Sequence, residues 1–284
     1  MHPKVDLNYF IARELSSRQY FSGKLDPAAW EKYSSVDDYY GQFTPGAAHI
    51  YQGHKGADLL YMTESHRRIY RYAPDAKMLV ILRDPVKRAW SQYWNEMGKG
   101  RENLSFSEAI RQEKNRINQS DYARCHFSYV DRGLYLKSFQ QLFEVFKWEQ
   151  VHIVILEKLF THQKEELANV FRFLQLDFSD SDCMLPRSIN KNWSYIEKDF
   201  CKRFPWLLVY KSYRSIVKRL ISMYTKEREH RRLLLRSSLK WFAIPIDTIR
   251  MSTEDSDYLS GYYSESVAEL RDFLGDNLDE WQIR

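Results

Sequence analysis

Arg83 and Ser91 are the residues whose types and spacing say most about chemistry in this chain. They belong to the run Leu82-Arg83-Asp84-Pro85-Val86-Lys87-Arg88-Ala89-Trp90-Ser91-Gln92-Tyr93. A guanidinium presents a planar fork of donors that matches a phosphate, and a hydroxyl about two turns into the helix that follows can reach the same anion. The residues by themselves fit two readings. One is a phosphate clamp; the other is an arginine in a surface salt bridge beside a serine packed on a helix.

The flanking elements bear on that choice. Met78-Leu79-Val80-Ile81-Leu82 is a continuous run of strand formers and is expected to be a strand buried on both faces of a parallel sheet. Arg83 then stands at its carboxyl end, the edge at which open α/β sheets bind ligands. Asp84 supplies an N-cap and Pro85 a first helical residue, so a helix should run through Trp90 and Tyr93 to Gly98. Its N-terminus favours anions.

Further elements follow from periodicity and caps. Helices are expected over 63–73, with Ile69 and Tyr70 on the apolar side, then over 105–118, and over 133–146 with Leu134, Leu142, Phe143 and Phe146 inward. A second buried strand covers 151–156, a helix covers 164–174, and an amphipathic helix over 262–274 is closed by Gly275. Residues 1–60 are loop-rich, punctuated by Gly and Pro. The order strand, helix, helix, strand, helix points to an α/β fold with a parallel sheet.

At 284 residues, one α/β domain with an additional helical segment fits as well as two domains, and 1–284 is taken as one. Aromatic residues make up 15%, which suits binding of sugar or purine rings and equally an aromatic-rich core. Cys125, Cys183 and Cys201 are too far apart and too few for a disulfide framework or a zinc site, so a reducing, cytoplasmic setting and no metal are expected. No apolar stretch has the length of a membrane span; the best, 206–224, is broken by Lys211, Arg214, Lys218 and Arg219. The start, Met1-His2-Pro3-Lys4-Val5-Asp6, lacks the apolar core of a signal peptide. Net charge is +5, but residues 202–240, read as helical, carry +10 and the remainder −5. That segment should face an anionic polymer or an anionic membrane surface, or else form a solvated helical face; no nucleic acid is expected as partner.

The run from Leu82 to Tyr93, led in by Pro74-Asp75-Ala76-Lys77, resembles the 3′-phosphate-binding motif of sulfotransferases that use 3′-phosphoadenosine 5′-phosphosulfate (PAPS). Other blocks are similar to that family's: His2-Pro3, Leu104-Ser105-Phe106-Ser107-Glu108-Ala109, Arg132-Gly133-Leu134-Tyr135 followed by Phe146 and the second strand, Glu157-Lys158-Leu159, and Phe173-Leu174-Gln175-Leu176. Residues 262–281 are similar to the closing helix. The match is specific over about 1–195, weak over 196–255, and good again at the end.

The resemblance implies a three-layer, P-loop-like α/β fold and transfer of a sulfuryl group from PAPS to a hydroxyl of a carbohydrate or glycolipid. Arg83 and Ser91 would hold the 3′-phosphate. Arg13-Glu14 before Tyr20-Phe21 resembles a "KE…FF" segment, which makes Glu14 the base that takes the acceptor's proton. Gly53-His54-Lys55-Gly56-Ala57-Asp58-Leu59-Leu60-Tyr61 resembles "GEKTPxY", which puts Lys55 at the transferring group. Arg187, Asn190 and Lys191 fall in a loop that closes over the nucleotide. The family's opening strand and Lys/Gly/Thr-rich phosphate loop have no counterpart here, so both are expected to be missing and a longer natural form is expected, with this chain a poor enzyme. Two rivals stand beside this reading. A nucleotide kinase on a similar fold needs a Walker lysine, and no glycines stand at GxxxxGK[ST] spacing before a Lys. An inactive truncated homologue would bind acidic glycans or nucleotides without turnover.

Overall fold

The computed structural model describes residues 53, 55–98, 101–179, 250–275, 278–281 and 283. Helix α1 is Glu64–Tyr72, with Glu64 and Arg71 matching the ends of its dipole. It buries Ser65, His66 and Ile69. Tyr70, expected on the apolar side, is 41% exposed and rests edge-on against Phe146. Adjacent residues on a helix lie about 100° apart, so Ile69 and Tyr70 cannot both face the core squarely.

Strand β1, Met78–Leu82, pairs in parallel with β2, Val151–Ile155, in a register that sets Leu82 opposite Ile155. The parallel pair agrees with the expectation; the burial of β1 does not. Val80 and Leu82 are in the core, whereas Leu79 and Ile81 are 43% and 55% exposed. Successive side chains of a strand point to opposite faces, and among the described residues one face of β1 is left open. An unbroken apolar run does not distinguish a strand covered on one face from a strand covered on both.

Between the strands lie helices α2 (Pro85–Gly98), α3 (Phe106–Ile117), α4 (Asp121–Phe127) and α5 (Tyr135–Phe143). Helix α3 starts on a capping box in which Ser105 and Glu108 satisfy each other's backbone N–H. Helix α4, which the sequence reading missed, is capped by the Ser120 hydroxyl accepting from the Ala123 amide. Helix α5 is shorter than 133–146 at both ends: Asp131–Gly133 forms a 3₁₀ turn before it, and residues 144–146 turn away after it. Helices α6 (Leu156–Thr161) and α7 (Gln163–Leu174) follow β2, and α7 ends with Gln175 in the left-handed region at φ 57°.

The last helix, α8, is Thr253–Leu274, and it starts well before the expected 262. Its first half, with Ser256, Tyr258 and Gly261, has weak intrinsic helicity. Tertiary contacts supply the difference. The Ser252 hydroxyl accepts from the Asp255 amide at 3.1 Å, Asp255 accepts from Ser107 of α3 at 2.5 and 2.6 Å, and Leu259 is fully buried. Gly275 closes the helix at φ 61°, as expected.

One core joins these parts. Val80, Leu82 and Ile155 from the strands meet Ala89 and Tyr93 of α2, Phe106 and Ile110 of α3, Phe139 and Leu142 of α5, Tyr263 and Val267 of α8, and Leu278, Trp281 and Ile283 beyond it. No helix among the described residues is long and apolar enough to cross a membrane.

Candidate active site

The carboxyl end of β1 is built around a single peptide unit. The Arg83 carbonyl accepts from the Tyr135 hydroxyl at 2.8 Å, and the Asp84 N–H of the same peptide donates to Glu157 Oε1 at 3.2 Å. Glu157 Oε2 in turn accepts from the indole N–H of Trp281 at 3.2 Å. Burial pushes the Tyr135 phenol up to about 12, so it stays a donor. Both polar atoms of the Arg83–Asp84 peptide are therefore held by side chains from other elements.

Asp84 caps α2. Its Oδ1 accepts from the amides of Val86 at 2.8 Å and Lys87 at 3.2 Å, and its Oδ2 lies 3.6 Å from Lys87 Nζ. The first amides of α2 are thus already occupied by a carboxylate. Any anion at this strand end would be met by side chains rather than by these amides. Arg83 and Ser91 are both half-buried, and among the described residues neither side chain has a hydrogen-bond or ion-pair partner. Their neighbour Arg88 is different. It donates to Gln92 Oε1 at 2.6 Å and to the Tyr129 carbonyl, so it belongs to the scaffold.

Lys55 is exposed at the start of a turn whose end is fixed. Arg132 pairs with Asp58 and donates to the Cys125 carbonyl at 2.8 Å and to Ser128 Oγ at 3.1 Å. Tyr61 donates to Asp131 Oδ2 at 2.6 Å, and its ring lies 4.7 Å beneath the Arg132 guanidinium. Burial, reinforced by Asp131, pushes the Tyr61 phenol well above its usual range. Burial disfavours the Arg132 charge, but Asp58 outweighs it and holds the guanidinium protonated.

The loop before α5 is held from below. Glu113 accepts from the Val130 and Asp131 amides at 2.6 and 2.7 Å, and Tyr263 donates to the Val130 carbonyl at 2.8 Å. Burial pushes the Glu113 carboxyl up to about 7 despite those two amides. One short block, Arg132-Gly133-Leu134-Tyr135, therefore reaches both regions named from the sequence. Arg132 fixes the segment that follows Lys55, and Tyr135 fixes the backbone of Arg83. Glu14, Arg187, Asn190 and Lys191 lie outside the described residues. Asp58, Arg132, Tyr135, Glu157 and Trp281 all stand inside the motif blocks, yet the sequence assigns none of them a role. Their roles depend on partners far away in the chain.

Residues 17–180 match the sulfotransferase family. The chain belongs to that family. Two curated relatives, the heparan sulfate glucosamine 3-O-sulfotransferases 5 of Mus musculus and Homo sapiens, are 32% and 31% identical over 115 residues. The match covers 40% of this chain and 32% of each relative, so the chain spans about a third of the length of these relatives. A sulfotransferase from Alicyclobacillus acidocaldarius superposes on this chain with a TM-score of 0.63 at 20% identity, covering 99% of this chain and 87% of that one. At that identity the likeness concerns the fold, which is a sulfotransferase fold. Among the described residues no group of three or more His, Cys, Asp or Glu is placed to hold a metal ion.

Proposed function

We propose that this protein transfers a sulfuryl group from PAPS to a carbohydrate hydroxyl, and that Arg83 and Ser91 hold the 3′-phosphate of the nucleotide. The observation that carries the reading is the state of Arg83. Its backbone is fixed on both polar atoms, while its guanidinium and the Ser91 hydroxyl have no partner among the described residues. A preorganised, half-buried cation at a strand end, beside a hydroxyl of matching chemistry, is a receptor for a phosphate. Membership of the sulfotransferase family supports the reaction type, and the relatives' action on heparan sulfate supports a glycan acceptor.

In this reading Glu14 accepts the proton of the attacking hydroxyl. The hydroxyl oxygen bonds to sulfur as the bond from sulfur to the 5′-phosphate oxygen breaks, and 3′-phosphoadenosine 5′-phosphate (PAP) leaves with the electron pair. Lys55 faces the transferring group and offsets its charge. Arg187, Asn190 and Lys191 contact the nucleotide phosphates from a closing loop, and the +10 segment 202–240 meets the acidic acceptor. The three-layer, P-loop-like architecture belongs to the same proposal. Most of the rate enhancement then comes from positioning and charge stabilisation. The test is an assay with radiolabelled PAPS and a panel of heparan-type and neutral glycans. Label appearing on a glycan, and lost on Arg83→Ala, is the expected result. Tight PAP binding with no transfer to any hydroxyl acceptor would reject the enzyme and leave a nucleotide-binding protein.

A further inference from the structure

We infer that Glu157, bridged to Trp281, is a positioning residue for the nucleotide's 3′-phosphate, and that through it the C-terminal segment sets the affinity of the anion site. The inference rests on the proposed role of Arg83 and adds a control on it.

Three elements distant in sequence converge on the Arg83–Asp84 peptide. Tyr135 holds its carbonyl at 2.8 Å and Glu157 its N–H at 3.2 Å. The second oxygen of the same carboxylate receives the Trp281 indole N–H at 3.2 Å, and the rings of Trp281 and Tyr135 pack at 5.9 Å between centroids. Trp281 is itself almost fully buried, at 2% exposure, among core residues. The orientation of a peptide plane determines where the adjoining side chains point. This one carries Arg83 on one side and Asp84, the cap of α2 and hence of the helix bearing Ser91, on the other. A rotation that moved the Arg83 fork by about 1 Å would disturb a bidentate contact severely.

The carboxylate is the chemically apt group here because it must accept from two N–H donors at once, one on each oxygen. A glutamine cannot do so. Its one carbonyl oxygen can serve either the Asp84 amide or the Trp281 indole, and its NH₂ then meets the remaining donor. Removing that second donor should relieve the conflict, so Trp281→Phe is expected to rescue Glu157→Gln.

The experiment measures binding of PAP and of adenosine 5′-monophosphate, which lacks the 3′-phosphate, by titration calorimetry. The proteins are wild type, E157Q, W281F and E157Q/W281F, each checked for folding by thermal melting. E157Q is expected to weaken PAP about tenfold and to change adenosine 5′-monophosphate less than about twofold. The double variant is expected to return to within about threefold of W281F for PAP, and the KM for PAPS should rise in E157Q more than kcat falls. Wild type that binds the two nucleotides equally would overturn the 3′-phosphate reading itself. Wild type that discriminates, with E157Q discriminating just as well, would overturn only the role of Glu157. Equal weakening of both nucleotides by E157Q, or a double variant worse than E157Q, would also overturn it, because a general structural defect predicts those results. If E157Q does not fold, W281F alone decides: unchanged preference for PAP over the monophosphate rejects the coupling, and a reduced preference supports it.

Discussion

Gly133 lies so close to Tyr263 that a Cβ built on it would stand 2.5 Å from the Tyr263 hydroxyl oxygen, and 2.9 Å from Cβ of Pro85. The glycine of the Arg132-Gly133-Leu134-Tyr135 block is there for close approach. It lets α8 pass tightly against the start of α2, so that Tyr263 can donate to the Val130 carbonyl while Tyr135 reaches Arg83. Gly133→Ala must therefore push apart the elements that hold the strand end. The expected cost is about 1–3 kcal/mol, visible as a lowered Tm, with PAP affinity lowered as well. A variant as stable as wild type would show that α8 can retreat freely.

Arg83→Ala removes a charge-assisted pair with the proposed 3′-phosphate. PAP binding should weaken by on the order of 2–3 kcal/mol, and adenosine 5′-phosphosulfate, which has no 3′-phosphate, should be affected much less. Ser91→Ala should have the same selectivity with a smaller effect, about 1 kcal/mol. Parallel titrations of the two nucleotides check both.

His66 makes the fold acid-sensitive. It is buried, with its Nε2 3.0 Å from the Leu59 carbonyl, and burial holds it down at about 4. The unfolded chain takes up this proton below its ordinary value of 6.5, while the folded chain resists down to about 4. Between those limits the unfolded state binds more protons, so stability falls as pH is lowered from about 6.5 to about 4, by roughly 3 kcal/mol in all. Since Leu59 belongs to the turn after Lys55, this region should loosen first. Denaturant unfolding of wild type and His66→Gln across that range tests the point; the variant's stability should vary less with pH.

Glu102 and Glu144 should differ sharply when removed. Glu102 is fully buried; it takes two hydrogen bonds from Arg116 at 2.8 and 3.2 Å, one from the Tyr129 hydroxyl at 2.7 Å, and two from the Asn103 and Leu104 amides. Burial opposes its charge, but these donors, Arg116 foremost, hold it below the usual carboxylate range. Glu102→Ala strands a guanidinium and should cost about 3–5 kcal/mol. Glu144 meets Arg67 at 3.3 Å with both side chains more than half exposed, and Glu144→Ala should cost under about 0.5 kcal/mol. Chemical denaturation of the two variants gives the comparison.

The sequence by itself determined what is local. The cap Asp84-Pro85, the helix that starts at Ser105, the apolar runs of both strands and the closing Gly275 are signals read within a few residues, and each is where the structure has it. Arg83 at a strand end and Ser91 on the next helix follow from those elements, and the motif around them named the family. The tertiary structure decided what depends on partners far along the chain. The Arg132–Asp58 pair joins residues 74 apart, and the Trp281–Glu157 contact joins residues 124 apart. No propensity or periodicity encodes such pairs, because they exist only after the core has brought the elements together. The same reason explains the errors. The first half of α8 is helical because α3 and the core hold it, and Leu79 and Ile81 are exposed because the faces of a strand are assigned by what packs on them.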